Sequence, residues 1–217
     1  SQGSGASDWS VSPGSPGDLL TTPAGSIPQR NPEVLHVVCG PVRAEKSTTL
    51  YRLVSRALRS KKTVDVCVPK MDTRSNGQVV THNGLSLATL GIIPRVVESS
   101  REVYEGLPNP LPDLLVVEEG QFFDIDLPLW LEKLPEHVYV VVAGLDLTSE
   151  GYPFGPMGHL LCLADKPEKL TAICVCGAEA TRSACMVEKN GDVLVGGGEA
   201  YVPMCQRCWR THRQRGR

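Results

Sequence analysis

No run of apolar residues in this 217-residue chain is long enough to cross a bilayer. The opening stretch, SQGSGASDWSVSPGSPGD, lacks the apolar core of a secretory signal. Strong charge of either sign is missing: the net charge is −2, so there is no general basic field for nucleic acid. Basic residues are not interleaved with aromatics either, which counts against a zinc-ribbon nucleic-acid binder. Only WRTHRQRGR at the C-terminal end is locally basic, and it reads as a short solvated tail. No internal repeats are seen. Eight cysteines without a signal point to a reducing compartment, expected to be the cytoplasm. There they serve as thiols or metal ligands rather than as a disulfide framework.

What is present is a chain of ordinary globular composition, 41% hydrophobic and 21% charged. Residues 1–32 are rich in Ser, Gly and Pro and carry no periodicity, so they are expected to be a disordered tail. Four short, nearly continuous apolar runs follow: VLHVVCG (34–40), TVDVCVP (63–69), DLLVVEEGQFF (113–123) and HVYVVVAGLD (137–146). Such runs, separated by segments long enough for helices, predict a parallel sheet covered on both faces. After the first run, Leu50, Leu53, Val54, Ala57 and Leu58 recur at helical spacing. The expected class is α/β. The α/β domain is expected to span 33–172, a small cysteine-rich module 173–209 and a basic tail 210–217.

Between the first strand and the first helix lies GPVRAEKST: Gly40, Pro41, Val42, Arg43, Ala44, Glu45, Lys46, Ser47 and Thr48. A phosphate loop reads G-x-x-x-x-G-K-[ST], and here Glu45 stands at the second glycine. By itself the stretch fits a phosphate loop and an ordinary strand-to-helix turn equally well. In the first reading backbone N–H groups cradle phosphate, Lys46 neutralises it and Ser47 ligates Mg²⁺. Glu45 then carries a side chain where the backbone favours glycine, and a carboxylate beside polyphosphate. The run VVEEGQFF shifts the balance, because an apolar strand ending in an acid is how a Mg²⁺-side carboxylate is presented next to such a loop. If both acids lie on the strand, Glu118 and Glu119 point to opposite faces. One would serve Mg²⁺ and the other would take a proton.

Cys174 and Cys176 form a C-x-C pair, and Cys205 and Cys208 a C-x₂-C pair. Two close pairs about thirty residues apart resemble a structural Cys₄ zinc site. Cys39, Cys67 and Cys162 lie in apolar runs and read as buried thiols, with Cys185 a spare.

From about residue 34 to 209 these segments resemble the cellular-type (type II) thymidine kinases. The resemblance rests on GPVRAEKST, DTR (72–74), THNG (81–84), EEGQFF (118–123), GLD (144–146), PFGPM (153–157), ADKPEKLTAIC (164–174), GGGEAY (196–201) and CQRC (205–208), in order. It implies transfer of the γ-phosphoryl of ATP to the 5′-hydroxyl of thymidine, with Mg²⁺ and a structural Zn²⁺. It also implies a lasso loop over the nucleoside and a homo-oligomer, a tetramer in the family. Glu119 then matches the catalytic base, and Glu118 stands for a family Asp near Mg²⁺. Asp72 and Arg74 match a phosphate-side pair. Gln121, Phe122, Leu145, Phe154, Ser183, Leu194 and Tyr201 match residues around the nucleoside. Glu45, Arg43, Glu118, Ser149 (for a pocket phenylalanine), Glu150 and the C-x-C depart from the family pattern. Those departures leave open a second reading, a catalytically impaired member that binds nucleotide or only assembles.

Overall fold

The computed structural model describes residues 35–71, 79, 84–187 and 200–215. The expected N-terminal tail, Asp72, Arg74 and Leu194 lie outside them. Its centre is a six-stranded sheet built from β1 (Leu35–Cys39), β2 (Val64–Pro69), β3 (Arg95–Val97), β4 (Leu114–Val117), β5 (Tyr139–Gly144) and β6 (Lys166–Lys169). The spatial order is β3-β2-β4-β5-β1-β6 and every pairing is parallel.

Alternation along each strand explains why the runs are continuously apolar. Val37, Cys39, Leu115, Val117, Val140 and Val142 point to one face, into a core shared with Val103, Leu127, Leu131 and Leu160. Those four come from α2 (Ser100–Glu105), α3 (Leu127–Leu131) and α4 (Met157–Leu163). Val38, Val66, Val68, Leu114, Val116, Val141 and Ala143 point to the other, against Leu50, Val54 and Ala57 of α1 (Lys46–Arg59). With both faces covered, a strand has no polar side to display. Each buried valine or leucine contributes about 1.5–3 kcal/mol, so these two layers hold most of the stability.

α1 is ended by Lys61, left-handed at φ 58°. Lys62 N–H reaches the Ala57 carbonyl at 3.0 Å and Lys61 N–H that of Leu58 at 2.9 Å. This is the Schellman pattern with lysine in the place that glycine usually takes.

Two of the six strands are not visible as apolar runs in the sequence. β3 and β6 are the two edges of the sheet, with one neighbour each, and they read RVV and KPEK. The third run is also shorter than expected. β4 stops at Val117, and Gly120–Phe122 forms a single 3₁₀ turn.

The cysteine-rich part adds β7 (Ala172–Ile173) paired with β8 (Glu179–Ala180), and β9 (Arg182–Cys185) paired with β10 (Tyr201–Met204), both antiparallel. α5 (Gln206–Arg215) closes it. The basic C-terminal stretch is therefore a helix through residue 215 and not a solvated tail. Its indole and one guanidinium have partners on another loop, which holds it in place.

Candidate active site at the carboxyl edge of the sheet

β4, β5 and β1 are neighbours, so the loops after them open at one edge of the sheet. β1 connects through α1 to β2, on one side, while β6 follows β5 on the other. Ligands of open parallel sheets bind at such a reversal. The loop after β1 begins at Gly40, whose φ is +146° and whose added Cβ would lie 2.4 Å from the Leu170 carbonyl oxygen. No other residue fits there, so the first loop glycine is required by β6 passing close by.

Glu45 takes the N-cap position of α1 at φ 60°, ψ 29°. It thus adopts the left-handed conformation the motif's glycine would supply, and its side chain is exposed. Arg43 is left-handed too, at φ 61°. Ala44, between them, is buried against Ala172, Cys174 and Ala184 of the cysteine-rich part. Pinning Ala44 is one reason the flanking residues hold conformations that cost about 1 kcal/mol or more each.

Lys46 donates to the carbonyls of Gly40, at 3.1 Å, and Pro41, at 2.8 Å. Desolvation holds its ammonium below the usual lysine range, opposed by Glu119, Glu118, Asp146 and Cys39. Ser47 Oγ donates to Glu118 Oε1 at 2.6 Å. Glu118 is 8% exposed, so it brings its carboxylate to the hydroxyl from beneath the loop. Two hard oxygen donors in contact are what a Mg²⁺ shared with phosphate requires.

Glu118 and Glu119 part company by a different means from strand alternation. Neither belongs to β4, and Glu119 turns left-handed at φ 52°. The Gln121 amide nitrogen donates to Glu119 Oε2, and Gln121 Oε1 accepts from Leu145 N–H at 2.9 Å. Gln121 is 2% exposed, and through it the loop after β5 holds the Glu119 carboxylate. Phe122 and Phe154 meet edge to face, with ring centroids 5.7 Å apart. Ser183 accepts from Val42 N–H at 3.0 Å, which ties β9 to the loop after β1. Tyr201 and Ser183 lie on one face of the β9–β10 ladder, since Tyr201 pairs with Cys185 and Pro203 with Ser183.

The four thiol sulfurs of Cys174, Cys176, Cys205 and Cys208 lie within 4.8 Å of one another. Cys176 Sγ and Cys205 Sγ are 3.7 Å apart. Zinc–sulfur bonds of about 2.3 Å at tetrahedral angles put sulfurs roughly 3.8 Å apart, so the set fits Zn²⁺ despite the missing residue of the C-x-C. Within the cluster, N–H groups of Cys176 and Cys205 lower the Cys174 thiol, whereas the thiols of Cys205, Cys176 and Cys174 raise that of Cys208.

A family model described as thymidine kinase matches residues 33–209. The chain belongs to the thymidine kinase family. Thymidine kinases of two strains of Bacteroides fragilis, one of them YCH46, are each 35% identical over 186 residues. Those alignments cover 84% of this chain and 90% of each relative.

Two features of this family member escape sequence reasoning. Asp146 is 5% exposed and pairs with Lys169 at 2.6 Å, and its charge is felt by both Cys39 and Lys46. Its signal is an acid two residues past an apolar strand, close to the signal read from VVEE. Trp209 donates its indole N–H to the Ser149 carbonyl at 2.9 Å across 60 residues, a contact no local pattern encodes. Among the apolar-run cysteines, Cys39 and Cys67 are buried as expected, and burial pushes their thiols up to about 11 and about 12. Cys162 is exposed instead, because α4 buries Met157 and Leu160 and turns residue 162 outward.

Proposed function

We propose that this chain transfers the γ-phosphoryl of ATP to the 5′-hydroxyl of thymidine, giving dTMP. The observation that carries the reading is the Ser47–Glu118 contact beside Lys46, facing a Glu119 carboxylate oriented by Gln121. Phosphoryl transfer is mostly positioning and electrostatics, and both are supplied by the chain's own groups. Main-chain N–H groups within residues 43–47 cradle the phosphates, and the family resemblance assigns Asp72 and Arg74, which lie outside the described residues, to the same task. Lys46 offsets phosphate charge. Ser47 and Glu118 would hold Mg²⁺, which would supply charge neutralisation to the transferring phosphate. Glu119 takes the proton of the 5′-hydroxyl. Gln121, Phe122, Leu145, Phe154, Ser183, Leu194 and Tyr201 enclose the nucleoside.

The same proposal takes 33–172 as the nucleotide-binding domain and 173–209 as a zinc module whose lasso covers the nucleoside. It also takes the active form to be a homo-oligomer. Among the described residues no helix is long and apolar enough to cross a membrane. The impaired-member reading finds no support in the geometry. Glu45 takes the glycine conformation with its side chain exposed, and the C-x-C still converges with its partner pair.

A coupled assay for ADP release with thymidine, ATP and Mg²⁺ tests the reading. Turnover dependent on all three is expected. A purified, zinc-loaded protein without thymidine-dependent turnover overturns it.

A further inference from the structure

Residues 147–153 form a tight hairpin beside the proposed nucleoside site. Leu147 bridges Pro153, Thr148 N–H reaches the Tyr152 carbonyl at 2.8 Å and Gly151 N–H that of Thr148 at 3.0 Å. Phe154, of the Phe122 pair, follows at once. At the hairpin's tip, residues 149–151 carry no large apolar side chain, and Tyr152 is 68% exposed. Ser149 is small and polar, and Gly151 has no side chain.

α5 supplies what the hairpin lacks. Trp209 and Arg213 are four residues apart and so share one face of the helix. The indole N–H of Trp209 donates to the Ser149 carbonyl at 2.9 Å, and Arg213 Nη1 donates to the Glu150 carbonyl at 2.8 Å. The Arg213 guanidinium lies 4.8 Å from the indole centroid, so the two donors brace each other. Gly151 packs against the ring. Its φ is +88°, and a Cβ there would come within 2.9 Å of Trp209 Cη2. His212, the residue before Arg213, contacts the Cys185 carbonyl at 3.0 Å through Nε2. The helix therefore grips both the hairpin and the end of β9.

We infer that Trp209 and Arg213 are positioning residues for the nucleoside, with Trp209 the principal one. They hold the hairpin backbone in place of the side-chain packing that Ser149 and Gly151 cannot provide. This rests on the thymidine reading above. Trp209 directly follows Cys208, so the thiol cluster and the hairpin are joined by a single rigid helix.

The test separates nucleoside from ATP. Trp209→Phe keeps an aromatic ring and removes the donor. Losing one such hydrogen bond is expected to raise the KM for thymidine roughly three- to tenfold. The KM for ATP and the zinc content should stay unchanged. Gly151→Ala, which drives a methyl into the indole, should act in the same direction. Hydrogen exchange at the Thr148 and Gly151 amides should quicken in Trp209→Phe, and this readout needs no turnover. An unchanged thymidine KM with unchanged exchange overturns the inference. So does a parallel rise in both KM values, which would make Trp209 a general packing residue. If Trp209→Phe does not fold, Arg213→Gln carries the same test with a smaller shift. A parent enzyme inactive on thymidine defeats the proposed function instead, and the exchange readout still decides whether α5 holds the hairpin.

Discussion

The parallel sheet and the cysteine-rich part keep their shape by opposite means. The sheet is held by valines and leucines at or near zero exposure on two faces. The cysteine-rich part has a core of alanines, Cys174 and Met204, and leaves Ile173 72% and Val175 80% exposed. Alanine buries too little area to order two-residue strands such as β7 and β8. The first region is stable through its own apolar surface, whereas the second depends on its thiols.

The largest test of that contrast is removal of the metal. Structural zinc sites contribute on the order of 10 kcal/mol to the folding of small modules. Chelation is expected to release amide protection across 172–187 and 200–209 while that of β1, β4 and β5 persists, as read by hydrogen exchange. About one zinc per chain should be found beforehand by metal analysis. Equal loss of protection in both regions would break the contrast.

Chemistry at the sheet edge should be separable from packing. Glu119→Gln is expected to lower kcat about 10²- to 10⁴-fold. Thymidine binding and the melting temperature should stay near those of the parent. A variant that turns over normally would remove Glu119 from the role of base.

Smaller still is the effect of single apolar side chains. Val141→Ala, at 0% exposure, should cost about 1–3 kcal/mol in chemical denaturation, whereas Ile173→Ala should stay within about 0.5 kcal/mol. A reversal of that order would sink the distinction between the two cores.

The smallest expected effect belongs to Glu45→Gly. Relief of the left-handed strain is offset by the freedom glycine gains in the unfolded chain, so stability should move by less than about 1 kcal/mol. The KM for ATP should fall roughly two- to fivefold at low salt and less at high salt, since a screened like charge is lost. Glu45→Ala separates the two causes, because it removes the charge and keeps the strain.

The central strands were legible because burial on both faces leaves one kind of residue available. The edges were not, since RVV and KPEK each answer to one neighbour and to water. At the site, the partnership of Ser47 with an acid after β4 could be read from the motif order. The divergence of the Glu118 and Glu119 side chains could not, since it depends on a left-handed turn at Glu119 rather than on strand alternation. Three of the four non-glycine residues with positive φ among those described, Arg43, Glu45 and Glu119, stand at this site. Such strain is stored where function requires a fixed geometry, and sequence propensities work against it. Ser183 was placed beside the nucleoside by resemblance, but its bond to Val42 N–H adds a tie between β9 and the loop that no spacing foretold.

Glu45 makes no side-chain hydrogen bond to the helix it caps. A carboxylate at that position is a tethered anion, chemically akin to the phosphate that the first amides of α1 are suited to receive. Folded back over the helix end, it would be a built-in competitor at fixed high local concentration. The left-handed backbone swings it into solvent and keeps it from that role. The conformation that costs the loop about 1 kcal/mol is therefore also the one that leaves the amides free for an incoming nucleotide.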